Sequence, residues 1–225
     1  MKMFWYDSKN VGDALSPIIV SHFFQKDVSL AKRNETGKLL GIGSVMKALR
    51  EGDTVWGTGI MREDDKFPMA PKCKFLAVRG KLTEKILGID VGVYGDPALL
   101  LPLMYNPEVE QKYDVGYVPH YVDKPIFKGF KGKVIDIEQD WRGFVREIKQ
   151  CKKIVSSSLH GLIIAEAYGL QAEWRVYSDK VLGKGFKFRD YLSATDRESF
   201  DEPLDKSKLK SIQDSLIKAI QGADV

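Results

Sequence analysis

Val155-Ser156-Ser157-Ser158-Leu159-His160-Gly161-Leu162-Ile163-Ile164-Ala165-Glu166-Ala167-Tyr168-Gly169 decides the fold. Lys153-Ile154-Val155 reads as a buried strand, and Leu159 to Tyr168 as an apolar helix that Gly169 stops. A strand running through a serine turn into a helix is one half of a βαβ unit. Serines at such a turn satisfy the free N–H groups of a helix start. Those N–H groups and the helix dipole attract anions. A histidine in the first turn is unusual, because the dipole disfavours its charged form. Beside a bound phosphate it would serve as donor or proton carrier. A capped helix with an idle histidine fits the same letters.

The rhythm repeats outward. Met3 to Tyr6 is a short apolar opening, and Ala14 to Phe24 has helical spacing. Lys38 to Ser44, Thr54 to Gly59, Phe75 to Val78 and Val91 to Tyr94 read as strands. A short helix is expected from Val45 to Leu49, and another from Lys81 to Leu87. Past residue 108 the pattern restarts, with strands Tyr113 to His120 and Lys133 to Ile137 and helices Trp141 to Cys151 and Ser207 to Gln221. The expected class is therefore α/β, two Rossmann-like domains with parallel sheets, residues 1–108 and 109–225, facing across a cleft. Ligands gather at the carboxyl ends of such strands.

Bulk properties exclude several classes. The 225 residues are 44% hydrophobic and 29% charged, ordinary for a globular protein. A net charge of +4, with both signs interspersed, shows no basic stripe for nucleic acid. Cys73 and Cys151 lack metal-ligand spacing, and a reduced pair is the simpler reading. No stretch has a signal peptide's apolar core or the length to span a bilayer. The expectation is a cytoplasmic protein, at most peripheral at the inner face of the membrane. A homo-oligomer is compatible with the sequence.

Several turns carry candidate site residues. Asn10-Val11-Gly12-Asp13 is a tight turn, with Asp13 either a plain cap or, with Asn10, a ligand for a sugar hydroxyl. Gly41-Ile42-Gly43-Ser44 and Trp56-Gly57-Thr58-Gly59 let a ligand approach the backbone, without matching a nucleotide motif. Arg79 ends a strand, where it grips an anion or forms an ion pair. Asp96 follows a strand in Gly95-Asp96-Pro97, chiefly a turn. His120 closes Val118-Pro119-His120. Glu166 supports the His160 turn or pairs with a cation. Lys184, Lys187 and Arg189 form a basic, aromatic segment that walls an anion site or packs on the second half. His22 reads as structural.

Taken in order, Asn10-Val11-Gly12-Asp13, Gly41-Ile42-Gly43-Ser44, Trp56-Gly57-Thr58-Gly59, Val78-Arg79-Gly80, Tyr94-Gly95-Asp96-Pro97-Ala98, Val118-Pro119-His120-Tyr121 and the Ser156 to Gly169 stretch resemble the polysaccharide pyruvyl transferase family. The resemblance implies a GT-B-like arrangement and transfer of the pyruvyl group of phosphoenolpyruvate onto a sugar. That sugar belongs to a surface polysaccharide or its lipid-linked precursor, as in exopolysaccharide or capsule, and a pyruvate ketal forms. The resemblance implies no metal and no organic cofactor. His160 is then the acid/base group, with His120 as second candidate and Asp13 orienting the acceptor. Donor and acceptor contacts fall to Asn10, Gly43, Ser44, Gly57, Thr58, Gly59, Arg79, Asp96, Ser157, Ser158, Gly161 and Glu166. Many members carry an arginine two residues before the helix histidine, where Ser158 stands here. Donor charge is then left to Arg79, Lys184, Lys187, Arg189 and the helix start. A GT-B-like glycosyltransferase and a non-catalytic sugar-binding member remain as alternatives.

Overall fold

The computed structural model describes residues 1–223, which form two sheets with every strand parallel to its neighbours. This is the α/β architecture expected from the alternating pattern. Parallel strands need crossover connections, which cover both faces of a sheet and keep its strands apolar.

The first sheet holds β1 (Lys2–Phe4), β2 (Ser29–Leu30), β3 (Leu39–Leu40), β4 (Thr54–Trp56) and β5 (Lys74–Ala77), in the order β2-β1-β3-β4-β5. Its strands are shorter than the apolar runs suggest, and side chains explain why. Beyond Leu40, the Ser16 hydroxyl accepts the Ile42 N–H at 3.2 Å and ends the ladder. The strand expected over Val91 to Tyr94 shrinks to one bridge between Val78 and Tyr94. There the Glu84 carboxylate takes the N–H groups of Val91 and Gly92 at 2.8 and 3.0 Å.

The second sheet holds β6 (Tyr113–Val118), β7 (Lys133–Val134), β8 (Cys151–Ser156) and β9 (Gln171–Trp174), in the order β7-β6-β8-β9. Cys151 opens β8 instead of closing the preceding helix. Both cysteines are free thiols.

Seven α-helices join the described strands. They are α1 (Val11–Phe24), α2 (Lys81–Leu87), α3 (Leu101–Met104), α4 (Trp141–Lys149), α5 (Leu159–Ala167), α6 (Phe186–Ala194) and α7 (Lys206–Ile220). Among the described residues no helix is long and apolar enough to cross a membrane. α5 is apolar all round and buried along nearly its whole length, which fits a central helix.

The last two helices return to the first sheet. Asp190 of α6 accepts from the Thr83 N–H and hydroxyl of α2, each at 2.7 Å, and from Arg79 Nε at 2.9 Å. α7 lies beside the 97–100 turn. Trp56 Nε1 donates to the Leu216 carbonyl at 3.1 Å, and Gln213 Nε2 to that of Leu99 at 2.8 Å. Leu216 is fully buried, and Ile212 presses on Gly95. Burying one such side chain is worth about 1.5–3 kcal/mol.

Candidate active site

The site forms where the turn after β8 meets the turn before α1. Ser156 accepts the Ser158 N–H at 2.9 Å and donates to the Val118 carbonyl at 2.7 Å. Ser158 occupies the cap position of α5, yet no side chain caps that helix. Its first N–H groups are thus without the serine hydroxyl expected from the sequence. Ser157 accepts the His120 N–H at 2.9 Å and donates to Asp123 at 2.7 Å. Asp123 is fully buried and also receives the Ser178 hydroxyl. This ties the ends of β6, β8 and β9 together.

His160 stands in a slot between two glycines. A Cβ at Gly12 would lie 1.9 Å from His160 Nδ1, and one at Gly43 would lie 3.7 Å from Cε1. Gly43 has a φ of +90°, where a side chain is strained. On the far side, His160 Nε2 faces Asp96 Oδ2 at 3.6 Å, too long for a hydrogen bond. Both atoms are buried without a hydrogen-bond partner among the described residues. Asp96 is fully buried, and its other oxygen caps the 97–100 turn through the Ala98 N–H at 2.9 Å. Asp96 thus caps the turn with one oxygen and faces His160 with the other.

Asn10, not Asp13, caps α1, accepting the Gly12 N–H at 3.0 Å. That frees Asp13 to turn toward His160 and Lys187. Burial raises its carboxyl pKa, against the Ser8 hydrogen bond and the two cations. Lys187 of α6 is only 8% exposed. Burial pushes its amine down to about 8, with Arg79 acting in the same direction and Asp13 opposing. Among the described residues Lys187 makes no ion pair or hydrogen bond, and its amine lies over the Phe188 ring at 5.4 Å. His120 is half-buried, and burial pushes it down to about 4, helped by Lys187 and opposed by Asp123 and Glu138. Its Nδ1 faces the Val122 N–H at 3.4 Å.

Several expected ligands belong to the scaffold instead. Arg79 is fully buried and spent on Asp190, the Ser44 hydroxyl at 2.6 Å and the Ile60 carbonyl at 2.7 Å. Glu166 is buried against Arg197, with contacts of 2.6 and 2.9 Å, and takes the Tyr191 hydroxyl at 2.6 Å. Gly57 packs on Pro97 and Gly59 on Arg79, while buried Thr58 bonds the Gly43 carbonyl at 2.9 Å. Gly161 gives α5 room against Ser156 and Val118. Ser44 serves Arg79. His22 is exposed at the end of α1, against Phe23.

A cavity of about 920 Å³ opens beside this cluster. Arg62, Glu63 and Asp64 form one wall, Trp174, Leu182 and Phe188 another, and Ser157 lies at its edge. Lys184 and Arg189 line it and are exposed. Arg189 reaches Glu63 at 3.5 Å. His160, Asp13 and Lys187 do not line this cavity.

A family model described as polysaccharide pyruvyl transferase matches residues 53–172. The chain belongs to the polysaccharide pyruvyl transferase family. It is 34% identical over 168 residues to an uncharacterised protein of Acanthamoeba polyphaga mimivirus, a match covering 68% of this chain and 58% of that relative. The chain thus spans less than two thirds of the curated relative's length. A variant of the wall teichoic acid polymerase TagF superposes with a TM-score of 0.47 at 11% identity, over 98% of this chain and 82% of the other. The same variant soaked with CDPG gives 0.46 at 12% identity, with the same coverage. Within the polysaccharide pyruvyl transferase segment lie Asp96, His120, Ser157 and His160. Asp13 and Lys187 lie outside it and join the cluster through the fold.

Gly12 and Asp123 were not legible as site residues. A glycine in a turn has an ordinary local use, and the histidine it accommodates lies 148 positions away. The buried position of Asp123 has no marker in its own segment.

Proposed function

We propose that the protein transfers the pyruvyl group of phosphoenolpyruvate to a sugar of a polysaccharide or its lipid-linked precursor, on the cytoplasmic side of a membrane. The observation that carries this reading is the buried facing of His160 and Asp96, which have no hydrogen bond on those atoms among the described residues, with Asp13 between His160 and Lys187 in their electrostatics, in a chain of this family. An imidazole nitrogen aimed at a carboxylate and free of other partners among the described residues is placed to exchange a proton with a reacting group.

In the proposed reaction the donor's negative charge is held by Lys187 and the uncapped start of α5. His160 gives a proton to C3, and C2 becomes electrophilic. An acceptor hydroxyl attacks C2 and its proton returns to His160. Phosphate leaves, a second hydroxyl closes the ketal, and its proton departs with the phosphate. His120, held neutral near pH 7, is a poor general acid, and its Nδ1 already accepts the Val122 N–H. The 920 Å³ cavity beside the cluster takes the part of the acceptor chain beyond the reacting sugar. The proposal needs no metal or organic cofactor.

The test is phosphate release from phosphoenolpyruvate with a panel of hexosides carrying free neighbouring hydroxyls. Release that depends on the acceptor is expected, with a loss of about 10²–10⁴-fold in His160→Ala. Wild-type release by that variant, or no acceptor-dependent release at all, would sink the assignment.

A further inference from the structure

The loop from Met61 to Met69 has a second face. Arg62 to Asp64 wall the large cavity, whereas Asp65 to Met69 wall another of about 510 Å³ on the first-sheet side. Four cations, Arg33, Lys47, Arg50 and Lys66, line it against one acid, Asp65. Lys47 pairs with Asp65 Oδ1 at 2.8 Å. Asp65 Oδ2 is buried and has no hydrogen-bond partner among the described residues. Arg50 rests on the Leu49 carbonyl at 2.7 Å, while Arg33 and Lys66 are exposed and carry no ion pair there. Phe67 supplies a half-buried apolar wall.

These features ask for a ligand with three properties. It must bring anionic groups to the cations, a hydroxyl donor to the orphaned oxygen, and an apolar face to the phenyl ring. We propose that this cavity binds an acidic saccharide, a sugar chain bearing carboxylates. The choice of a saccharide rests on the function proposed above. The two cavities are walled by successive stretches of one loop, Arg62 to Asp64 and Asp65 to Met69. Each pyruvyl ketal adds a carboxylate to the chain, so the modified product carries the charge this cavity attracts and is retained as its neighbour is processed.

Calorimetry tests this with tetragalacturonate, neutral maltotetraose and polyglutamate as probes. Tetragalacturonate is expected to bind the wild-type protein and His160→Ala alike, and at least tenfold more weakly the Arg33→Glu/Lys66→Glu double variant. Maltotetraose is expected not to bind. Asp65→Asn is expected to weaken tetragalacturonate and leave polyglutamate unchanged. Equal binding by the double variant, equal binding of polyglutamate, or no binding by the wild type would overturn the proposal. Phosphate release with a monosaccharide acceptor stays at wild-type level in the double variant. Absence of release from the wild type counts against the function alone, and the calorimetry still decides this site.

Discussion

Lys187 sits where a lysine costs stability. Its folded amine titrates near 8, against about 10.5 in an unfolded chain. Between those values the unfolded state holds more protons, so stability rises with pH across that window. Below pH 8 the full cost is present. Lys187→Met is therefore expected to raise stability at pH 7 by up to roughly 3 kcal/mol while abolishing donor binding. Urea titrations at pH 7 and pH 10.5 check it, and no gain at pH 7 would count against the reading. The same scale shows what a sequence can carry. His160, Asp13 and Lys187 were named from their turns and charge. At Arg79 the sequence left an anion grip and an ion pair both open, because an arginine at a strand end looks the same whether it faces a substrate or Asp190, 111 positions on.

Among the elements, α6 has the most to lose from one side chain. Asp190 is fully buried and holds Arg79, Thr83 and hence the start of α2. A Cβ at Gly80 would lie 1.8 Å from the Asp190 carbonyl, so the two helices meet backbone to backbone. Asp190→Ala leaves a guanidinium buried without its carboxylate, and a loss of about 3–5 kcal/mol is expected. Thermal unfolding followed by circular dichroism measures it, and a change below 1 kcal/mol would show the contact to be idle. The apolar stripe Leu209, Ile212, Leu216 and Ile220 made α7 legible, and α2 was placed by the Arg79-Gly80 turn that ends the strand before it. α6 read as a basic, aromatic loop, because Lys187 and Asp190 on its buried face break the amphipathic pattern. β2 and β9 escaped notice because they are short edge strands without an apolar run.

At the scale of the molecule, its buried bases set the response to acid. His120 titrates near 4 when folded and near 6.5 when unfolded. Between pH 6.5 and 4 the unfolded state binds more protons, so stability falls as pH falls through that window. The raised carboxyl of Asp13 acts in the opposite sense. In His120→Asn the loss of stability between pH 6.5 and 4 is expected to be smaller, as read from denaturation midpoints. An unchanged slope would assign the acid sensitivity elsewhere. The two parallel sheets were legible in the alternation of strand and helix. The destination of α7 was not, since an amphipathic stripe does not say which sheet it covers. That destination bears on how the protein is made. Trp56 waits for a carbonyl 160 residues later. Until residues 206–220 have emerged from the ribosome, the first sheet lacks α7, and its 97–100 turn stays open to water. The half that is synthesised first thus stays incompletely covered until α7 has been made.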